Sequence, residues 1–116
     1  MGVTVVRYQT KAERADENQA LIEKVFAELA AKQPEGLRYA SMRLADGVSF
    51  VHISATDTAD GTNPLTETEA FAAFLREIGD RCDVPPAASD ATVVGSYRFF
   101  EDRDDRMPAV PGPEKQ

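Results

Sequence analysis

The side chain best suited to proton chemistry is that of His52, the only histidine in the chain. Near its ordinary pKa of about 6.5, an imidazole can donate and accept protons at neutral pH. Asp46-Gly47 is typical of a tight hairpin turn, and the register that follows places Ser41 opposite His52. A serine hydroxyl there would hold one ring nitrogen and leave the other for a ligand. His52 is therefore the candidate catalytic residue, as a proton acceptor, and a hydrogen-bonded structural histidine is the alternative.

Aromatic and basic side chains share the predicted face of His52. In the same register Tyr39 lies opposite Ser54, and Arg43 lies opposite Phe50. Aromatic rings can stack on a flat ligand, and a guanidinium can hold a phenolate or another anion. The candidate ligand-binding residues are Tyr39, Ser41, Arg43, Phe50 and Arg7. Core packing, dimer packing and ordinary ion pairs are the alternatives for these side chains.

Other familiar site chemistries lack their residues. One histidine and one cysteine, Cys82, leave too few ligands for a zinc site of His and Cys, and no internal disulfide can form. The acidic loop around Gly61 does not fit a calcium loop, because Thr56 and Thr58 stand where the first two carboxylates belong. No Gly-rich phosphate loop or dinucleotide fingerprint occurs. We expect no metal and no cofactor.

The first half of the chain predicts a strand, a helix and a hairpin. Val3–Gln9 is rich in β-branched residues and predicts a strand. Asp16, with Gln19 three residues later, predicts a capped helix start, and Pro34-Glu35-Gly36 predicts its end. Apolar residues recur at helical spacing between them: Leu21, Ile22, Val25, Phe26 and Leu29. Leu37–Ala55 predicts the hairpin that carries Ser41 and His52.

The second half predicts a loop, a helix and a strand. Thr56–Leu65 has the glycine and proline of a loop, and Thr66 predicts the cap of a helix that continues to Cys82. Thr92–Phe100, rich in valine and aromatic residues, predicts the last strand. Residues 102–116 are charged and proline-rich, so we expect a mobile tail after a single domain of residues 1–101.

The element order βαββαβ predicts an α+β, ferredoxin-like fold, with a four-stranded antiparallel sheet and two helices on one face. Met42, Val51 and Ile53 form one mainly apolar hairpin face, which we expect to pack on the helices. His52 would then face away from the helices, toward a cavity or an interface. The sequence leaves open whether Arg7 or Tyr8, and Tyr97 or Arg98, shares that second face. Its apolar content predicts a homodimer with stacked sheets.

Charge and hydropathy exclude two kinds of partner. The formal charge of −7 across 116 residues disfavours nucleic acid and anionic lipid surfaces, which need Lys and Arg. No apolar stretch approaches the roughly 20 residues of a membrane-spanning helix. The first residues lack a basic region followed by an apolar one. We therefore expect no nucleic acid and no membrane among the partners, and a cytoplasmic location.

The segment Asp46-Gly47-Val48-Ser49-Phe50-Val51-His52, with the helix Glu69-Ala70-Phe71-Ala72-Ala73-Phe74-Leu75, resembles the dimeric α/β-barrel superfamily, in particular its antibiotic-biosynthesis-monooxygenase-like branch. The resemblance covers about Val3–Phe100 and implies a cavity between sheet and helices that takes small, often aromatic, molecules. It implies a homodimer that binds such a ligand, with cofactor-independent monooxygenase activity in some members. A non-catalytic ligand-binding module and a structural dimerisation module are the alternatives.

Overall fold

The fold is a four-stranded antiparallel sheet with its helices against one face, seen in a computed structural model that describes residues 2–99. The sheet order is β2-β3-β1-β4. The predicted ferredoxin-like βαββαβ architecture is confirmed. The elements are β1 (Gly2–Thr10), α1 (Ala15–Lys32), β2 (Leu37–Arg43), β3 (Ser49–Thr56), α2 (Glu69–Leu75), α3 (Ile78–Arg81) and β4 (Cys82–Ala91).

The hairpin of β2 and β3 has the predicted register. Ser41 pairs with His52, Met42 pairs with Val51, and Arg43 pairs with Phe50. A two-residue Asp-Gly turn has positive φ at both residues, whereas here only Gly47, at φ 80°, has it, so the turn differs from the prediction. The Asp46 carboxylate accepts hydrogen bonds from Val48 N at 3.0 Å and from Ser49 N at 2.8 Å. These bonds close a longer loop and keep the register that the shorter turn would have set.

The helix α1 begins one residue before the predicted cap. A turn of 3₁₀ helix, Ala12–Arg14, leads directly into it, so Arg14 takes the cap position without a side-chain hydrogen bond. Asp16 lies in the first turn instead, where a carboxylate interacts favourably with the helix dipole. The helix ends where predicted, since Gln33 takes a left-handed conformation and its N–H binds Leu29 O.

The second predicted helix, Thr66–Cys82, is divided into three short pieces, so the prediction of one continuous helix is wrong. Pro64–Glu67 forms a 3₁₀ turn, and α2 follows with Thr68 as its cap, whose hydroxyl accepts from Phe71 N at 3.2 Å. Glu77 interrupts the helix because its backbone is left-handed, with a φ of 62°, and the single turn of α3 follows. Cys82 therefore begins a strand and does not line a helix.

The last strand is Cys82–Ala91, and the prediction of Thr92–Phe100 is wrong: residues 92–99 are outside any strand, and Phe100 lies outside the described residues. β4 pairs with β1 on one side only, and the register shifts between Arg7 and Gln9, opposite Pro85-Pro86. An edge strand tolerates prolines because its outward N–H groups need no partner, and a bulge absorbs the rest. The predicted boundary at residue 101 and the tail 102–116 also lie outside the described residues.

The sheet presents His52 to the helices, so the prediction that it faces away from them is wrong. The ring centroids of His52 and Phe74 on α2 are 5.3 Å apart, and those of Tyr39 and Phe26 on α1 are 5.1 Å apart. The larger aromatic rings lie on the same sheet face as His52. Packing this face on the helices therefore removes more apolar surface from water than packing the opposite face would. The core on this side contains Tyr8, Ala15, Ile22, Val25, Phe50, Leu65, Phe74 and Cys82.

The outer face of the sheet carries the smaller apolar side chains. Opposed residues share a face, so Val5 and Ile53 lie together on it, as do Arg7, Val51 and Met42. Met42 is 38 % exposed, and its apolar neighbours on this face are half-buried. Within residues 2–99 no helix is long and apolar enough to cross a membrane.

Candidate functional site

The site is built around His52 at the centre of the sheet. His52 lies on β3, between Val6 on β1 and Ser41 on β2. Because side chains of paired strands stand side by side, Tyr8 and Tyr39 flank the imidazole from either side. The helix α2 covers the group with Phe74. Four separate elements thus position one buried imidazole.

Both ring nitrogens of His52 have hydrogen-bond partners. Nε2 lies 2.7 Å from the Tyr8 hydroxyl. Nδ1 lies 2.7 Å from the Tyr39 hydroxyl and 2.9 Å from Ser41 Oγ. The predicted contact between Ser41 and His52 is therefore present, together with two tyrosine contacts that the sequence did not indicate. The expectation that the other ring nitrogen is left for a ligand is wrong, because the Tyr8 hydroxyl lies against it.

Burial sets the charge of this group. His52 is 5 % exposed, and desolvation lowers its pKa to about 4. Desolvation also raises the pKa of the Tyr8 hydroxyl far above its ordinary value, and the hydrogen bond from Asn18 offsets only part of that effect. At neutral pH the imidazole and the Tyr8 phenol are both uncharged, and the site is a network of neutral hydrogen-bonding groups.

A second layer connects Tyr8 to a buried cation. Asn18 on α1, fully buried, has its Nδ2 2.8 Å from the Tyr8 hydroxyl and its Oδ1 3.1 Å from Arg81 Nε. Arg81 is 1 % exposed and also donates to Phe74 O at 2.5 Å and Arg76 O at 3.1 Å. These carbonyls lie at the end of α2, where a cation is favourable, so they stabilise the buried guanidinium.

A cavity of about 220 Å³ opens beside this network, between the sheet and α2. His52, Tyr8 and Tyr39 of the network form part of its wall. The remaining wall is mainly apolar and comes from both layers: Thr4, Val6, Ser54, Asn63, Leu65, Thr66, Phe71, Phe74, Leu75, Ile78 and Pro86. An apolar pocket with a few converging polar groups is the usual form of a small-molecule site.

Tyr39 belongs both to the hydrogen-bond network and to the cavity wall. Desolvation raises the pKa of its hydroxyl, and a hydrogen bond from Ser41 lowers it in part. Its ring stacks on Phe26, with an angle of 16° between the planes. This packing fixes the position of the hydroxyl at the cavity wall.

The other predicted site residues lie elsewhere. Phe50 is buried behind Tyr8, with ring centroids 5.5 Å apart. Arg43 lies at the edge of β2, where its guanidinium binds Gln19 Oε1 at 2.7 Å, Asp16 Oδ1 at 3.1 Å and Gly47 O at 2.8 Å. Arg7 is exposed on the outer face. The structure thus brings His52 and Tyr39 to the cavity, whereas Ser41 contacts the imidazole without lining the cavity. Phe50, Arg43 and Arg7 do not line it.

Tyr8, Asn18 and Arg81 are the site residues that sequence reasoning missed. Asn18 gave one usable signal, since it lies four residues before Ile22 and seven before Val25 and therefore shares their helix face. A polar residue on such an apolar face must find a buried partner. Arg81 gave no comparable signal, because its burial depends on the break between α2 and α3.

A group of three or more His, Cys, Asp and Glu side chains that could hold a metal ion is absent from the described residues. The histidine nitrogens already have protein partners.

Comparison with solved structures identifies the fold. A candidate antibiotic biosynthesis monooxygenase from Nitrosomonas europaea aligns with a TM-score of 0.68 at 18 % identity, covering 82 % of this chain and 100 % of that one. Rv0793 from Mycobacterium tuberculosis aligns with a TM-score of 0.65 at 14 % identity, covering 82 % and 96 %. SnoaB, a cofactor-independent oxygenase from Streptomyces nogalater, aligns with a TM-score of 0.60 at 15 % identity, covering 82 % and 94 %.

Several of the structural neighbours are described as antibiotic biosynthesis monooxygenases, so the resemblance noted in the sequence is confirmed at the level of the fold. At these identities the likeness shows the fold alone. No protein-family model matches the sequence, and no curated protein matches it.

Proposed function

We propose that this chain forms a homodimer and binds a small apolar or aromatic molecule in the cavity beside His52. The observation that carries the proposal is that a mainly apolar cavity of about 220 Å³ lies against the hydrogen-bonded group of His52, Tyr8 and Tyr39. A cavity of about 150 Å³ can hold benzene, so a somewhat larger ring system suits this one. Phe71 and Phe74 supply the aromatic surface, and Tyr39 supplies the polar contact.

The homodimer follows from the outer sheet face. Val5, Ile53 and Met42 leave apolar surface on the face away from the helices. Stacking two such faces about a twofold axis would bury that surface on both copies. The fold likeness supports the same arrangement, since the neighbours have the dimeric α/β-barrel fold.

A cofactor-independent monooxygenase reaction is the second candidate, favoured by the likeness to SnoaB. In such a reaction the substrate supplies all four electrons: an activated CH₂ becomes C=O with one atom of O₂, and the other oxygen atom leaves as water with the two hydrogens. His52 is the proposed proton acceptor. Since both of its nitrogens have protein partners, the substrate's proton would reach Nε2 through the Tyr8 hydroxyl, whose residue also lines the cavity. Because the pKa of His52 is about 4, the imidazole is a weak base, and only an acidic phenol or similarly activated carbon suits it.

Ligand titration followed by NMR tests the binding proposal. We expect hydroxylated bicyclic aromatics to shift the amide signals of Phe71, Phe74 and Ile78 in a saturable manner, and His52→Ala to weaken that binding. Leu75→Trp, which fills the cavity mouth from an exposed position, should block it. Signals that move only at the outer face, or not at all, would overturn the proposal.

Oxygen consumption separates an enzyme from a binding protein. With a phenol that binds, an oxygenase should consume one O₂ for each product formed without added metal or flavin, whereas a binding module should consume none. A cavity that admits no ligand would leave the structural dimerisation module as the function of the fold.

A further inference from the structure

We propose that Arg81 and Asn18 are positioning residues that fix His52 in the tautomer with its proton on Nδ1, and that the Tyr39 hydroxyl proton is thereby directed to the ligand. The hydrogen-bond part of this inference stands on the geometry of the free protein. Only its statement about the ligand rests on the proposed function.

Arg81, Asn18, Tyr8, His52 and Tyr39 form a hydrogen-bond chain, and the direction of donation along it is set at Arg81. A guanidinium only donates, so the Asn18 atom 3.1 Å from Arg81 Nε must be the carbonyl oxygen. The amide nitrogen of Asn18 then points to the Tyr8 hydroxyl at 2.8 Å and donates to its oxygen. The reverse amide orientation would set two donors against each other, which is unfavourable at a fully buried site.

The same direction continues to His52. With its oxygen accepting from Asn18, the Tyr8 hydroxyl has its one proton left for His52 Nε2, at 2.7 Å. Nε2 is therefore the acceptor nitrogen, and the proton of the neutral imidazole lies on Nδ1. Nδ1–H then donates to the oxygens of Tyr39 at 2.7 Å and Ser41 at 2.9 Å.

Tyr39 is the last residue of this hydrogen-bond chain. Its oxygen lies 2.7 Å from His52 Nδ1 and accepts the hydrogen bond from Nδ1–H. Among residues 2–99 the hydroxyl has no protein partner at hydrogen-bond distance besides His52 and Ser41, and the residue lines the cavity. Its own proton is therefore available to a bound molecule. The cavity should select a ligand that presents an acceptor oxygen, such as a carbonyl or a phenolate, over one that is wholly apolar.

The tautomer can be read directly, because one histidine gives one set of ring signals in long-range ¹H–¹⁵N NMR. In the wild-type protein at pH 7 we expect Nδ1 at the position of a protonated nitrogen and Nε2 at that of a bare one. The opposite pattern would overturn the proposal.

Variants of Asn18 test the cause. In Asn18→Asp both carboxylate oxygens accept, one from Arg81 and one from the Tyr8 hydroxyl. Tyr8 then no longer donates to His52, and we expect the proton to move to Nε2. In Asn18→Leu, of similar volume, Tyr8 receives no donor, and the two ¹⁵N positions should move toward each other. Unchanged ¹⁵N signals in a folded Asn18 variant would show that the hydrogen-bond chain does not determine the His52 tautomer.

Ser41→Ala is the matched control on the other side of the ring. It removes a neighbour of Nδ1 but leaves Tyr39 to accept, so the tautomer should stay unchanged. If the tautomer changes in Ser41→Ala but not in the Asn18 variants, the groups beside Nδ1 determine the tautomer, and the proposed role of Arg81 is overturned.

The ligand part is tested with 1-tetralone and tetralin, which differ in a carbonyl oxygen. We expect 1-tetralone to bind about tenfold more tightly to the wild-type protein, and Tyr39→Phe to remove that difference. Equal binding of both by the wild-type protein would overturn the role of Tyr39. Binding of neither would contradict the proposed function, while the tautomer measurement would still decide the hydrogen-bond chain.

Discussion

The Tyr8 hydroxyl lies 2.7 Å from His52 Nε2, in a contact between adjacent strands that is closed off by the helices. Protonation of His52 at this nitrogen would place a donor against the Tyr8 hydroxyl and a charge in the core. The contact thus makes the neutral imidazole part of the folded state. The stability of the protein should depend on pH for this reason.

The pH dependence has a definite sign. Because folding lowers the pKa of His52 from 6.5 to about 4, the unfolded chain binds more protons between those values, and stability falls as pH falls through this range. We expect His52 to account for a loss of about 2 kcal/mol between pH 7 and pH 5. Urea unfolding at both values should show this loss in the wild-type protein and its near absence in His52→Gln. Equal pH dependence in the two proteins would contradict the burial of the neutral ring.

A pair of glycines provides a second prediction. Gly36 has φ +81°, and a Cβ there would lie 2.8 Å from Asp57 O and from Thr58 Cγ2. At Gly47, with φ +80°, no atom of residues 2–99 would lie within 4 Å of such a Cβ. Gly36→Ala should therefore destabilise the fold by about 2 to 4 kcal/mol, from backbone strain and the contact together. Gly47→Ala should cost about 1 to 2 kcal/mol, from the strain alone. Urea unfolding that gives equal losses would show that the loop after β3 yields to the added methyl group.

Cys82 provides a third prediction. Its side chain is buried at the start of β4, and desolvation raises the pKa of the thiol. The thiolate is the reactive form, so a disulfide reagent such as Ellman's should react at least about tenfold more slowly with the native protein than with the protein in urea. A native rate equal to the unfolded rate would show that the start of β4 opens readily.

The sequence predicted best where local patterns and tertiary packing agree. Asp46-Gly47 and the alternating residues on either side gave the register of Ser41 and His52, because slipping by one residue would turn every side chain to the other face. The helix α1 and the strand β1 were found for the same reason. The element order was then enough to indicate the ferredoxin-like fold.

The sequence failed where tertiary context overrides local preference. Pro85-Pro86 argued against a strand, yet an edge position beside β1 accommodates both prolines, and the valine-rich segment after Ala91 stays outside the sheet. The prediction that His52 faces away from the helices failed for a related reason. Both hairpin faces are partly apolar, and the choice between them depends on how Tyr8 and Phe74 pack, which the hairpin pattern does not contain.

The candidate site was only half predictable from the residue pattern. Ser41 follows from the hairpin register, but Tyr8 joins His52 through the pairing of β1 with β3, which joins residues 44 positions apart. Arg81 on α3 reaches the site by contacting Asn18 on α1 and Phe74 on α2, and the interruption of the helix at Glu77 makes this possible. Such contacts depend on the whole arrangement of the chain and leave little trace in any local window.

The proposed homodimer provides the last prediction. Val5 lies on the central strand β1, half-buried on the outer face and paired with Ile53 and Ser89. If two outer faces stack, Val5→Glu would place a carboxylate in the interface of both copies, where its desolvation is costly. Light scattering after gel filtration should give a mass near twice 12.7 kDa for the wild-type protein and near 12.7 kDa for Val5→Glu.

The matched control for that change is Ala72→Asp, a carboxylate added at an exposed position on α2, across the molecule from the outer face. It should leave the dimer mass unchanged, since α2 covers the opposite side of the sheet. A far-ultraviolet circular dichroism spectrum like that of the wild-type protein would show that Val5→Glu acts on association and not on folding. A wild-type mass near 12.7 kDa, or a Val5→Glu protein that remains as fully dimeric as the wild-type protein, would contradict association through this face, because burying a carboxylate in the interface of both copies carries a large desolvation cost.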